Sequence, residues 1–122
     1  MSEFELISLA QKAKLIEGYW NPAIVAECNG QHVKLAKFKG SFTWHKHENE
    51  DEFFYIVQGC ITIKLRDKEI VLNATDCICI PAGVEHCPEA KEEAIVMMFE
   101  PVGTLNTGNV INEFTRRNIK EI

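Results

Sequence analysis

The sequence predicts an all-β domain, a small sandwich or closed barrel preceded by one N-terminal helix. Short apolar segments recur at regular spacing from His32 to Glu100, and turn residues separate them without helical periodicity. A chain of 122 residues has room for one modest core and not for two. Its hydrophobic fraction of 46% and charged fraction of 25% place it with globular rather than disordered chains.

The helix is expected first. Ser2-x-x-Glu5 reads as a capping box, Leu6, Leu9, Ala10, Ala13 and Ile16 form one apolar stripe, and Gly18 supplies a stop. Ala23 to Glu27 is a short possible strand, and Asn29-Gly30 is a two-residue hairpin signal leading into the next. Further strands are expected near 32–38, 41–47, 52–58, 60–66, 69–72, 77–80, 84–87 and 94–100, with Arg66-Asp67-Lys68 as a hairpin tip. Along 52–57, Glu52, Phe54 and Ile56 share one face while Phe53, Tyr55 and Val57 share the other. Phe42 and Trp44 likewise fall opposite His45 and His47, so an apolar outer face needs a cover. The helix covers part of it, and a second copy of the chain, forming a homodimer, covers the rest. The chain then divides into residues 1–30, a leading helix and strand, residues 31–101, a barrel core, and residues 102–122, a tail packed on the same domain.

The stretch from Gly40 to Gly59 carries the chemistry. On a strand, residues i and i+2 project together, so His45 and His47 offer two imidazole nitrogens to one ion. Glu52 opens the next apolar run, and antiparallel pairing of that run with the histidine strand would return its carboxylate to the same point. His86 follows Pro81-Ala82-Gly83, a turn able to bring the chain back as well. The four form a candidate metal site.

His45-x-His47, four residues, Glu52, six residues, Gly59, then Pro81-x-Gly83-x-x-His86 closely resembles the two motifs of the cupins, over roughly Val33 to Pro101. The resemblance implies a cupin-type jelly-roll β-barrel with His45, His47, Glu52 and His86 as metal ligands. Counting back seven from Gly59 selects Glu52 over Asp51, although either spacing occurs in the family. Three departures leave the ligands intact: four residues rather than five separate Gly40 from His45, Thr75 stands where the second motif usually opens with glycine, and Ala90 replaces its closing asparagine. The ending around Met97 to Pro101 is similar to that of small single-domain bacterial cupins loosely described as mannose-6-phosphate-isomerase-like, a likeness of fold and not of reaction.

Composition excludes several classes. A net charge of −5 with no lysine–arginine cluster argues against nucleic acid or an anionic membrane as partner. No stretch approaches the roughly 18 uninterrupted apolar residues of a membrane span, and the acidic start lacks the features of a signal peptide. Five cysteines, an odd number, fit free thiols in a reducing, cytoplasmic setting. Cys77-x-Cys79 reads as buried small hydrophobes on a strand packed on both faces, and Cys87 as a pocket-edge thiol beside a ligand.

Three imidazoles and one carboxylate suit a divalent transition metal, whether Zn, Ni, Mn, Fe or Cu. Two functions follow. One is a metal-dependent enzyme, an isomerase or dioxygenase acting on a small oxygen-rich molecule; the other is a non-catalytic module that binds metal and a small ligand as sensor or carrier. The sequence supplies no nucleophile with a paired base and no phosphate-binding glycine loop, so catalytic residues beyond the ligands are unassigned.

Overall fold

A computed structural model describes residues 4–122 and bears out the all-β expectation. Its strands are β1 (Ala23–Cys28), β2 (Gln31–Ser41), β3 (Glu52–Gln58), β4 (Cys60–Lys64), β5 (Glu69–Asn73), β6 (Cys77–Ile80), β7 (Cys87–Pro101) and β8 (Lys120–Glu121). The architecture is a jelly roll built on β7. This 15-residue strand pairs along its length with β2, and on its other edge first with β4 and then with β3. From β2 the sheet continues through β1 to β8, β5 extends β4, and β6 extends β3, without closure into a continuous barrel.

Local chemistry accounts for the turns. Asn29 and Gly30 adopt φ of 51° and 75° between the paired residues Cys28 and Gln31, the left-handed conformations of a tight hairpin. Gly59 joins β3 to β4 at φ 90°, and a side chain there would lie 3.0 Å from the Cα of Ala94, so strand crossing and turn both exclude a Cβ. Thr75, where the resemblance leads one to look for glycine, takes φ 75°. A β-branched residue in that region is strained, and the family's usual glycine would adopt it freely. Ala90 is 3% exposed within the apolar interior.

Several expectations need correction. The 41–47 segment is not a strand: β2 runs to Ser41, and afterwards only His45 forms an isolated bridge, with His86. Consequently β3 does not pair with the histidine segment but with β6 and β7. Of the expected strand 84–87 only Cys87 lies in a strand, β7, which runs on through the expected 94–100 to Pro101. The helix α1 spans only Leu9–Ala13, capped by Ser8, whose hydroxyl accepts from the Gln11 N–H at 3.2 Å. Ser2 of the expected capping box lies outside the described residues, and Leu6 is 92% exposed. Five residues are too few to form a helix on propensity; α1 is held because Ala13 and Ile16 pack on Ala23, Val25, Leu35 and Ile95, outside the sheet. β6 is packed on one side only, with Ile80 buried and both Cys77 and Cys79 exposed. Cys87 is buried. Among the described residues no helix is long and apolar enough to cross a membrane.

The interior cluster, on the opposite side of the sheet from α1, gathers Trp20, Ala36, Phe38, Phe54, Ile56, Ile61, Ile63, Leu72, Val96 and Met98. On β3, Glu52, Phe54 and Ile56 are buried while Phe53, Tyr55 and Val57 are half-buried, the parity expected. The tail closes over one end: β8 pairs parallel with β1, and Phe114 packs 5.3 Å from Phe42. Phe42 belongs to this interior, stacked at 4.9 Å on Trp20, rather than to the outer face.

One charged pair interrupts the apolar interior. Lys34 on β2 and Glu100 on β7, 2% and 1% exposed, meet with Nζ 2.7 Å from Oε1, and Nζ also donates to the Thr104 carbonyl at 3.3 Å. Desolvation makes such a pair weakly stabilising as a whole, whereas removing one member strands the other. Lys34→Met is therefore expected to cost about 1–3 kcal/mol, the scale of a buried group left without its partner, and Lys34→Met with Glu100→Leu less, in urea denaturation of the metal-free protein. Equal losses in the two variants would disprove the compensation.

Candidate metal centre

The four residues singled out by spacing come together. One ligand-type atom from each of His45, His47, Glu52 and His86 lies within 4.8 Å of the others, and all four residues are buried. Glu52 enters at the first position of β3, opposite Ile80, immediately before the Pro81 turn. Its Oε1 stands 3.3 Å from Nε2 of both His47 and His86. Asp51 is exposed and accepts from the Ala82 N–H at 2.9 Å, so it fixes the turn carrying His86.

Backbone hydrogen bonds register the histidines without a regular strand. His45 and His86 exchange both N–H to C=O bonds, at 3.0 and 2.9 Å, and the Gly83 N–H reaches the His47 carbonyl at 2.7 Å. Within the rings, Nδ1 of His45 donates to the Thr43 carbonyl and Nδ1 of His86 to the Val84 carbonyl, each at 2.9 Å. These bonds set the tautomer that leaves Nε2 as a lone-pair donor facing the cluster, an arrangement typical of metal-binding imidazoles.

The fit to a cation rests on His47. Both its ring nitrogens are buried without a hydrogen-bond partner, a cost of about 1–3 kcal/mol for each stranded group unless something else satisfies it. A cation among the four side chains would satisfy Nε2. Electrostatics point the same way. Burial, reinforced by the charge of His86, pushes His45 down to about 4, so it is a neutral donor at neutral pH. Burial pushes Glu52 upward, but the ring nitrogens of His47 and His86, each 3.3 Å from its Oε1, more than offset this and hold it well below the usual carboxylate range.

Glu100, absent from the sequence-based candidates, adjoins the cluster. Burial and then the charge of Glu52 push its carboxyl well above the usual range, against the pull of Lys34. With His45 and Glu52 it forms the polar end of a cavity of about 30 Å³, whose walls include Trp20, Phe38, Phe42, Phe54 and Met98. Cys87 does not line this cavity. On the other side His47 faces a surface cleft of about 160 Å³ bounded by Glu48, Glu50, Leu105, Gly108 and Asn109.

The tail clamps the histidine segment. Lys46 receives one hydrogen bond from the Asn109 N–H, at 3.0 Å, and donates its own N–H to Asn109 Oδ1 at 2.9 Å. Gly108 permits this approach at φ 55°, because a Cβ there would overlap the Lys46 carbonyl and sit 3.3 Å from His45 Cδ2.

A jelly roll enclosing three imidazoles and a carboxylate defines a fold with a possible metal site, and the comparisons agree with that fold. The cupin domain family matches residues 31–101, and the chain belongs to the cupins. The Bacillus subtilis (strain 168) protein YdbB is 39% identical over 107 residues, 78% of this chain and 92% of YdbB. A cupin-2 domain-containing protein from Shewanella frigidimarina is 42% identical, with a TM-score of 0.77 over 79% of this chain and 94% of that one. A Neisseria meningitidis protein is 26% identical, with a TM-score of 0.72 over 80% and 99%.

Because Gly108 shapes the backbone on which His45 and His47 sit, Gly108→Ala is expected to weaken zinc retention by about 10- to 100-fold, the range for loss of a group that orients ligands. Competition with a chromophoric chelator measures it; a change below about twofold would show that the tail does not position the site.

Proposed function

We propose that this cupin is a metal-dependent enzyme acting on a small oxygen-rich molecule, as an isomerase or an oxygenase. His45, His47, Glu52 and His86 would hold one divalent transition ion, Zn, Ni, Mn, Fe or Cu. The observation that carries the reading is the junction of two features: four convergent donor groups, and an apolar-walled cavity that shares His45 and Glu52 with them. Such an ion, when bound, supplies a Lewis acid for a carbonyl or a binding position for dioxygen.

The chain's own groups do the rest. The Thr43 and Val84 carbonyls orient the rings of His45 and His86. Trp20, Phe38 and Phe42, stacked at 4.3 and 4.9 Å, keep bulk water from the cavity. Glu100, its carboxyl pushed upward by burial, is the group placed to hold or accept a proton beside Glu52. The cavity's small size favours a second reading, a module that binds metal and ligand without turnover. Four exposed thiols, Cys28, Cys60, Cys77 and Cys79, support a reducing, cytoplasmic location.

As purified or after incubation with zinc, nickel or manganese, the protein is expected to carry about one ion per chain. Glu52→Gln should lose it to dialysis against a chelator far faster than Asp51→Asn. Elemental analysis below about a tenth of an equivalent in the wild type would end the metal reading. Oxygen uptake and product formation with a panel of small acids, diketones and hydroxy-carbonyl compounds then separate the two readings, since binding without turnover selects the module.

The homodimer belongs to the same proposal. Phe53, Tyr55 and Phe99 are half-buried on the outer face, with Phe53 paired to Phe99, and lie outside both apolar clusters. Trp44, half-buried, is stacked under Arg66 at 3.9 Å. Sedimentation equilibrium at tens of micromolar is expected to show a dimer that Tyr55→Glu dissociates; a monomeric wild type refutes it.

A further inference from the structure

The tail that clamps the histidine segment also builds a second cleft, of about 770 Å³, between strands β1 and β2 and the stretches 102–105 and 116–120. None of the four donor residues lines it, and it shares no wall with the cavity beside them. Four of the chain's 13 lysines and arginines do line it, Lys34, Arg116, Arg117 and Lys120, together with none of its 18 aspartates and glutamates. In a protein of net charge −5 this is a marked segregation of charge. Lys34 is neutralised by Glu100, and His32, also in the wall, lies 3.4 Å from Glu27. Arg116, Arg117 and Lys120 form no ion pair among the described residues.

Arg116 adds a separate observation. It is half-buried, and its guanidinium donates only to the carbonyls of Glu113 and Thr115, at 2.8 and 3.3 Å. Neutral acceptors leave the charge itself uncompensated, and a partly desolvated charge is costly without a counter-ion. The backbone carrying these cations is fixed at both ends. The Arg116 N–H donates to Asn106 Oδ1 at 2.9 Å, and Lys120 lies in β8 opposite Ala23 of β1.

We propose that this cleft binds a small phosphorylated molecule, its phosphate among Arg116, Arg117 and Lys120 and its carbon body against Ile24, Val102 and Leu105. Guanidinium forks match the oxygens of a phosphate, and three cations suit a dianion better than a single carboxylate. The volume is that of a small-molecule site. A nucleic acid needs a basic stripe or face, and an anionic membrane a cluster of about 4–8 lysines and arginines, whereas three cations sit here in a concavity of an acidic protein. The site does not depend on the metal reading.

Calorimetry with phenyl phosphate tests it on the protein as purified, its metal content determined, and again after removal of metal by a chelator. Salt is held at about 0.1 M, where charges more than about 10 Å apart are largely screened. A dissociation constant below about 1 mM is expected in both states, with inorganic phosphate weaker and benzyl alcohol not bound. Arg117→Gln and Lys120→Gln, both at exposed positions, are each expected to weaken binding by about tenfold, the scale of one charge-assisted hydrogen bond. Lys68→Gln, exposed on the hairpin between β4 and β5, removes the same charge elsewhere and is expected to change it less than twofold. Binding that disappears with the metal places the anion at the donor cluster and overturns the inference. So does equal weakening by Lys68→Gln, which would make the effect one of net charge, or a wild type that fails to bind phenyl phosphate. Cosedimentation with vesicles of phosphatidylcholine and phosphatidylserine, without phenyl phosphate binding, would reassign the cleft to a membrane surface.

Discussion

Four polar side chains brought to one dry point are the constraint around which the rest of this structure is arranged. Three imidazoles and a carboxylate within 4.8 Å give up water for neighbours that are mostly Phe, Ile and Trp. Burial of each costs free energy unless a partner is present, and the protein supplies partners only for the parts that face outward, Nδ1 of His45 and of His86. Of the inward atoms, His86 Nε2 and Glu52 Oε1 have only each other, at 3.3 Å, and His47 has a partner for neither ring nitrogen. Holding such an arrangement demands a rigid frame, and every irregular segment near it serves that need. The His45–His86 bridge, Gly83 on His47, Asp51 on Ala82 and Asn109 on Lys46 are all hydrogen bonds made by loops rather than strands.

Much of this was legible in the residues because the geometry of the donor cluster is encoded locally. His45 and His47 keep their i, i+2 relation without a regular strand, since the backbone of His45 is bridged and that of His47 is anchored by Gly83. Glu52 and Gly59 bracket one strand, so their spacing survives any change in what that strand pairs with. The pairing itself was misjudged: a hairpin between the histidine segment and β3 is the simplest local topology, but long-range pairing with β6 and β7 won. Phe42 was placed on the wrong side for the same reason, since strand parity does not apply to a loop.

Lys34 and Glu100 show a different limit. Glu100 stands on the parity of Val96 and Met98, and Lys34 on that of Ala36 and Phe38, so a charged residue on an apolar face was visible in each strand. What alternation could not give is that the two meet. Their register places Lys34 opposite Met98 and His32 opposite Glu100, a diagonal relation fixed only by 15 residues of β7 lying along β2. The clamp from the tail was hidden more deeply. Residues 102–122 have neither helical nor strand periodicity, and the role of Gly108 exists only where the tail meets the Lys46 carbonyl.

Charge counting links the frame to the chemistry. The interior holds one ammonium, Lys34, against two carboxyls, Glu52 and Glu100. With neutral imidazoles and both carboxyls ionised, one positive and two negative charges leave a net charge of −1 in a medium that screens poorly. Burial and the charge of Glu52 push the Glu100 carboxyl upward, in the direction that eases this imbalance. A divalent ion reverses the balance to +1 with the same groups ionised, and a monoanionic ligand then brings the interior to neutrality. Neutrality is the cheapest state for a buried cluster. The aromatic walls thus do more than exclude water: a cation held by the four donors would lower the cost of burying an anionic ligand there, and the ligand that of the cation.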